Sequence, residues 1–401
     1  MAQAASVSDW RERARRRLPR MLFEYIDGGA YDEVSLRRNV DSFQRVTLRQ
    51  RVLTDVSQLQ LGAELFGQQL AMPVVLAPVG MSGLFGRRGE VAGARAAEAA
   101  GIQMCLSTMS VCSIEEVQAS VTRPTWFQLY MIRDRGFMIE MLRRAQAAAA
   151  PVLVFTVDLP VTGARYRDIR SGLSGKRSLV DSMRIGLDTM AHPSWVWNVG
   201  VKGRPHSFGN VEPAMKASGE TDYIRWIAGN FDPSVSWRDL AWVRERWDGP
   251  IVIKGILDAD DARMAVAEGV DGIVVSNHGG RQLDGVPATI DALPAIADAV
   301  GDALTLMLDG GVRSGLDLLK ALALGAKGVM LGRAWAYALA GGGGAGVSAM
   351  LATVRHELQV AMMLTGCTDL RQANPSLLVD NAQRYAADHA GAPQPFNGAM
   401  R

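Results

Sequence analysis

The chain has 401 residues, 48% hydrophobic and 21% charged, with 43 Lys and Arg against 41 Asp and Glu for a formal net charge of +2. That is ordinary soluble composition with material for a large core, and it offers no overall basic charge for nucleic acid. Cys105, Cys112 and Cys367 are scattered and form no Cys-x-x-Cys pair, which speaks against a disulfide framework or a zinc site and suits a reducing cytoplasm.

From the N-terminus, Met1 to Asp9 is mild and Arg11 to Arg20 carries six arginines and one glutamate. No secretory leader is expected, and no run reaches the ~18 uninterrupted apolar residues of a membrane span. Residues 1–72 are expected to form a helical cap with a short hairpin. Apolar runs then alternate with helical patterns such as Glu90 to Ala100 and Phe137 to Ala149. The runs are 73–77, 104–106, 125–130, 152–158, 250–255, 272–276, 304–309 and 328–332. Eight β-then-α units predict an α/β fold, a (β/α)8 barrel over 73–401 whose active face is the C-terminal end of the strands. Most runs end in a polar residue or glycine.

The interval 159–249 is too long for one crossover helix and is expected to be an inserted segment, part lid and part docking surface. It holds six of the nine tryptophans, and between Ala164 and Arg204 eight Lys/Arg face three Asp/Glu. A surface loop with its own small core is the competing reading. Gly341 to Gly346 reads as a flexible linker between helices; it follows a helix-like segment, so it is not a phosphate loop.

The stretch Ser276 to Gly285, SNHGGRQLDG, follows the sixth run. It sets a titratable imidazole, His278, three residues before a guanidinium, Arg281, able to clamp a carboxylate in two parallel hydrogen bonds. Asp158 ends the fourth run, where a carboxylate can hold an imidazolium, though a helix N-cap would use the same residue. Arg165 is a second possible clamp. Lys254 ends an apolar strand; a Schiff base, a snorkelling lysine and a cation beside an electron-rich cofactor ring are its alternatives, the last preferred. The loops Asp309-Gly310-Gly311-Val312-Arg313 and Gly332-Arg333 follow strands seven and eight, where barrels commonly bind phosphate. A phosphorylated ligand, Lys254 and a base together imply FMN. No G-x-G-x-x-G turn supports a nicotinamide domain.

Taken together these residues resemble the FMN-dependent 2-hydroxy acid dehydrogenase/oxidase family, with SNHGGRQLDG as its signature. The likeness runs from RLPRMLFEYIDGGA near the N-terminus to LGR at the last strand. LAPVGMSGLFGRRGE, FTVDLPVTGARYRD, DGPIVIKGILD, VKGRPHSFGN and FDPSVSW look most like the quinone-linked bacterial L-lactate dehydrogenases within it. The resemblance implies His278 as base with Asp158 its partner. It implies Arg281 and Arg165 on the substrate carboxylate, and Tyr25 and Tyr130 at the carboxylate and hydroxyl end. Flavin contacts are implied for Pro78, Val79, Gly80, Ser107, Gln128, Thr156, Lys254 and Ser276. The phosphate is implied at Asp309, Gly311, Arg313, Gly332 and Arg333, and no metal is implied.

Gly80 stands where family oxidases usually carry alanine and membrane dehydrogenases glycine. Met109 replaces a bulky aromatic of glycolate oxidase. The implied function is oxidation of L-lactate to pyruvate with electrons passed to a membrane quinone. An (S)-mandelate dehydrogenase, or a broad (S)-2-hydroxy acid oxidase using O2, is the alternative. Hydride and carbanion routes use the same residues. A homotetramer is implied, lying peripherally on the cytoplasmic face of the inner membrane. The basic insertion and the Arg11 to Arg20 region compete as its contact with anionic lipid.

Overall fold

The computed structural model describes residues 4–175, 178–218, 226 and 229–379. Residues 176–177, 219–225 and 227–228 of the expected insertion, and 380–401 of the expected barrel segment, lie outside the described residues.

The N-terminal segment supplies three helices, α1 (Val7–Arg17), α2 (Arg20–Asp27) and α3 (Val34–Arg45), and a hairpin of β1 (Ala63–Leu65) with β2 (Gln68–Leu70). Ser6 and Asp9 form a capping box that starts α1, satisfying otherwise orphaned N–H groups. Helix α1 buries Val7, Trp10 and Ala14 against the long helix Arg333–Thr365. The hairpin closes the bottom of the barrel. Gln68 Oε1 accepts from Trp126 Nε1 at 3.1 Å and Gln103 Nε2 at 2.7 Å, and Phe66 meets the Trp126 ring edge-on at 5.5 Å.

The eight apolar runs become eight parallel strands: β3 (Val74–Leu76), β4 (Gln103–Ser107), β5 (Trp126–Tyr130), β6 (Leu153–Thr156), β7 (Ile251–Ile256), β8 (Gly272–Val275), β9 (Thr305–Leu308) and β10 (Gly328–Leu331). They close in the order β10-β3-β4-β5-β6-β7-β8-β9. Strands covered on both faces read as continuous Val/Ile/Leu runs rather than alternating ones. Alternation nonetheless decides what points inward. Val75, Cys105, Trp126, Val154, Val252, Val274, Met307 and Met330 pack as an interior apolar layer. Two residues further along, on the same face, stand Ser107, Gln128, Thr156, Lys254, Ser276 and Asp309, all buried. A polar floor therefore sits directly above an apolar plug, at the C-terminal strand ends.

Helices α4 (Ser82–Phe85) with α5 (Gly89–Ala99), α6 (Ile114–Gln118) and α7 (Arg135–Ala147) follow β3, β4 and β5. Ser113 and Asp134 cap α6 and α7. The outer layer is completed by Ala259–Ala267, Thr289–Val300, Gly315–Ala323 and Arg333–Thr365.

The glycine run Gly341 to Gly346 is not the loose linker expected from composition. It lies inside Arg333–Thr365, where Gly343 at φ 63° and ψ −153° joins two helices. A Cβ on Gly342 would stand 2.9 Å from the Trp10 ring, and one on Gly346 2.3 Å from the Ala338 carbonyl. The glycines let α1 approach the kink closely. The helix is long and apolar enough to cross a membrane, but Trp335, Leu339, Met350, Leu351, Val354 and Leu358 on it are buried in the protein.

The insertion contains α8 (Tyr166–Arg170), α9 (Leu179–Met190), a turn at Pro193–Trp195 that runs into a π-helix at Val196–Val201, and the helices Glu212–Ser218 and Asp239–Arg244. Its tryptophans are not the interfacial array that composition suggested. Trp226 and Trp247 are buried, and Trp195, Trp237 and Trp242 pack against the core; Trp197 is 55% exposed. The Trp195 indole donates to the Leu84 carbonyl at 2.8 Å, fastening the insertion to α4. The exposed apolar surface belongs instead to α9, which has no buried residue. Its Leu179, Met183, Leu187 and Met190 stand four, four and three residues apart on one face and are 67–87% exposed.

Candidate active site

The polar floor opens into a cavity of about 410 Å³. Its wall brings together Tyr25, Pro78, Val79, Gly80, Tyr130, Thr156, Arg165, Lys254, His278, Arg281, Asp309, Gly311, Arg313, Gly332 and Arg333. Asp158, Ser107, Gln128 and Ser276 are not part of that lining and stand directly behind it. Ser276 Oγ accepts from Lys254 Nζ at 2.9 Å and from the His278 N–H at 3.1 Å. Ser107 Oγ donates to Gln128 Oε1 at 3.2 Å.

His278 sits at φ 55°, with Gly279 and Gly280 following at 65° and 72°. Left-handed backbone is uncommon for a residue with a Cβ and costs free energy that the surroundings must supply. Here the turn is held by Asn277, whose Oδ1 accepts from the Gly280 N–H at 3.1 Å while its amide exchanges hydrogen bonds with Asn39 of α3, each 2.8 Å. The turn aims the imidazole at Asp158: Nδ1 and Oδ1 are 2.8 Å apart. A carboxylate can only accept, so Nδ1 carries the proton and Nε2 keeps its lone pair. Burial lowers the His278 pKa, and Asp158 offsets this only in part. Burial would raise Asp158, but His278 and then Lys254 hold it low. At neutral pH the pair is an ionised carboxylate and a neutral imidazole.

Gly255 makes this contact possible. It occupies a register shift in β7 at φ 117°, and a Cβ there would lie 2.7 Å from the Asp158 Cβ. Gly255→Ala is expected to displace Asp158 and slow flavin reduction at least ~10-fold, with a stability loss of roughly 1–3 kcal/mol from the strained backbone. Stopped-flow reduction and thermal melting check this; wild-type values for both would refute it.

The opposite wall is cationic. Arg281 lies over the Tyr25 ring with 4.6 Å to its centroid, and its Nη1 donates to the Tyr25 carbonyl and, at 3.0 Å, to Gly28. Its Nη2 is buried without a hydrogen-bond partner among the described residues. Arg165 donates through Nε to the Arg281 carbonyl at 3.2 Å and through Nη2 to Gln282 Oε1 at 3.3 Å. Burial, then Arg281, lower Arg165 to about 10, as for a cation confined beside another in a buried site. Burial keeps the Tyr130 phenol protonated by raising its pKa. Composition did not point to three further residues. Gln282 stitches the insertion to the signature loop through Asp158 and Val161 carbonyls, both 2.9 Å. Phe231 meets Tyr130 edge-on at 5.6 Å. Asp168 lines the cavity 3.9 Å from Arg165, and burial raises its pKa. Only Gln282 carried a signal, its place in the signature.

The remaining wall fits FMN. Lys254 Nζ is 2.7 Å from Asp309 Oδ2. Burial would lower the lysine, but Asp309 and then Asp158 raise it, so a fixed cation stands at the barrel centre. One Asp309 oxygen, Oδ2, is thus paired with Lys254, while Oδ1 is buried with no partner among the described residues. Thr156 Oγ1 and Gln128 Nε2 are buried without partners among the described residues, a donor–acceptor set suited to ring heteroatoms. At the other end Gly310 and Gly311 adopt φ 85° and 93°, and a Cβ on Gly311 would collide with the Asn39 carbonyl at 2.0 Å. The helix Arg333–Thr365 begins beside them with Gly332 as N-cap, and free N–H groups at a helix start favour a phosphate. Arg333 is the first residue of that helix. Its guanidinium donates to Ile26, Gly279 and Gly28 carbonyls at 2.9, 2.8 and 2.7 Å. Arg313 adds the neighbouring positive charge.

The model of the FMN-dependent dehydrogenase family matches residues 14–380. The L-lactate dehydrogenase of Caulobacter vibrioides is 56% identical over 381 residues, 95% of this chain and 99% of that protein. The L-lactate dehydrogenase of Acinetobacter baylyi is 56% identical over 377 residues, 94% of this chain and 97% of that one. The solved structure of a monotopic membrane protein, (S)-mandelate dehydrogenase, superposes with a TM-score of 0.85 at 34% identity, over 94% of this chain and 100% of that one. A mandelate oxidase gives a TM-score of 0.79 at 37% identity, over 94% and 98%. With a cradle of the right chemistry and these relatives, the chain belongs to the FMN-dependent dehydrogenase family, and its cofactor is FMN.

Proposed function

We propose that this enzyme oxidises L-lactate to pyruvate and passes the electrons to a membrane quinone. The observation that carries the oxidation is the His278–Asp158 pair opening on the same cavity as the arginines Arg281 and Arg165. FMN, when bound, supplies the two-electron acceptor. Arg281 Nη2 and Arg165 hold the substrate carboxylate, with Tyr25 and Tyr130 donating beside it. That fixes the 2-hydroxyl against His278 Nε2, which takes its proton. Asp158 stabilises the imidazolium so formed, and Lys254 stabilises negative charge beside the cofactor ring.

L-lactate is the substrate in view of the relatives at 56% identity. A larger side chain is the second reading, because Met109, Leu159, Leu173 and Phe231 give the cavity an apolar wall and methionine adapts to shape. Anaerobic bleaching of the flavin by a panel of L-2-hydroxy acids separates the two. Reoxidation by a quinone analogue against oxygen then tests the acceptor; peroxide formation without quinone reduction would favour the oxidase alternative. A Cβ at Gly80 would lie 3.3 Å from the Met109 Cβ, so glycine leaves open the space next to the substrate that alanine would fill. Sedimentation of the purified enzyme checks the tetramer implied by the family.

We place the enzyme peripherally on the cytoplasmic face of the membrane. The apolar face of α9, with Trp197 and Val201 exposed nearby, supplies the insertion; the arginines of α1 supply charge for anionic lipid. The insertion comes close to the end of α1: the Arg20 N–H at the start of α2 donates to Asp188 of α9 at 2.7 Å, and Arg17 of α1 shares a cleft with Trp195 and Asn198. Leu179→Ser, Met183→Ser and Leu187→Ser together should move the enzyme to the soluble fraction while lactate still bleaches its flavin. Unchanged sedimentation with membranes would remove α9 as the anchor.

A further inference from the structure

Helix α2 carries Tyr25, and its last carbonyls hold the guanidinium groups of Arg281 and Arg333. Arg281 is therefore aimed by the position of Tyr25 to Gly28, not by a carboxylate of its own. What positions that segment in turn is the insertion. Arg167 of α8 reaches across to three carboxylates of the cap: Asp27 at 2.8 Å, Glu24 at 3.1 Å and Glu33 at 2.7 Å. Asp27 is buried, receives the Tyr337 hydroxyl at 2.8 Å and is also paired with Arg11. A Cβ on Gly28 would stand 3.3 Å from Arg167 Cδ, so the arginine stem lies directly over the turn that holds Arg281. At its other end α2 is gripped again, where Asp188 of α9 accepts from the Arg20 N–H at 2.7 Å and fills a helix start that lacks a side-chain cap of its own.

We propose that Arg167 is a positioning residue for the substrate carboxylate: it transmits the seat of the insertion through Asp27 and Glu24 to Tyr25 and Arg281. This rests on reading Arg281 as the carboxylate clamp. Arg167 contacts neither substrate nor cofactor, so its removal weakens binding of the carboxylate more than it slows the chemical step. A guanidinium bridging several carboxylates fixes geometry that an ammonium reproduces only in part.

The experiment uses the FMN-loaded full chain. Arg167→Ala should raise KM for L-lactate, and Kd for pyruvate read from perturbation of the flavin absorbance, about tenfold with kcat within about twofold. Arg167→Lys should recover about half of that change on a logarithmic scale. Asp188→Asn, which loosens the other end of α2, should move KM and Kd in the same direction. R281K is measured alongside. A Kd for pyruvate that rises in R281K but not in Arg167→Ala overturns the latch and leaves the clamp standing. A Kd unchanged in both overturns the clamp, and the latch with it. Should Arg167→Ala fail to fold, Arg167→Lys decides: wild-type KM and Kd in that variant and in Asp188→Asn overturn the proposal.

Discussion

Replacing His278 with alanine should leave the protein yellow and cut flavin reduction by L-lactate ~10²–10⁴-fold, the range a positioned base contributes. FMN should stay because the residues proposed to cradle it, Lys254, Thr156, Pro78 to Gly80 and the two glycine-rich loops, line the cavity and none of them is held by the imidazole. Asp158→Asn should show why the base works. With the carboxylate gone, nothing fixes the proton on Nδ1, and the imidazolium loses its counter-charge. The sign of the pH effect follows. Only neutral His278 accepts a proton, so kcat/KM rises with pH through its pKa, which burial sets below the ordinary 6.5. The acid limb of the wild-type profile should therefore lie below pH 6.5. Asp158 raises that pKa, so Asp158→Asn should move the limb further toward acid while the plateau falls. Stopped-flow reduction across pH measures both. A limb above 6.5, or His278→Ala reducing at the wild-type rate, would show that another group is the base.

Arg281→Lys should lower kcat/KM ~10²-fold, about 2–3 kcal/mol for charged hydrogen bonds lost in a buried site. The reason is geometric. One arm of the fork is committed to the Tyr25 and Gly28 carbonyls, and the other is buried without a partner among the described residues. An ammonium is one point, so it satisfies the carbonyls or the substrate, not both in the same geometry. The flavin content should be unchanged, which separates this effect from loss of the cofactor. An undiminished kcat/KM would place the carboxylate elsewhere, with Arg165 the first residue to examine.

Much of the barrel was legible because its signals are local. Most strands are short apolar runs ended by a polar or glycine residue, and closure of the barrel then sets Ser107, Gln128, Thr156, Lys254, Ser276 and Asp309 on one inner ring. The signature turn likewise shows its imidazole and guanidinium three residues apart. Other features misled for the opposite reason. The glycines at 341–346 look flexible in isolation, yet they are small because Trp10, more than 300 residues earlier, packs on them. The tryptophans of the insertion look like an interfacial belt, but most anchor it to the body, and the exposed surface falls to the aliphatic face of α9.

The sequence by itself determined the repeat, the polar or glycine ends of most strands, the base beside its glycines and the family to which these belong, since all depend on residues close together in the chain. Only the tertiary structure decided the pairings. Asp158 with His278 across a missing Cβ at Gly255, Asp309 turned to Lys254, Arg333 spent on carbonyls, and Arg167 latched to Asp27 join positions 54 to 140 residues apart or more. Burial makes each such pairing obligatory, because an unpaired charge inside the protein is costly, but which partner satisfies it depends on where the folded backbone brings the two together.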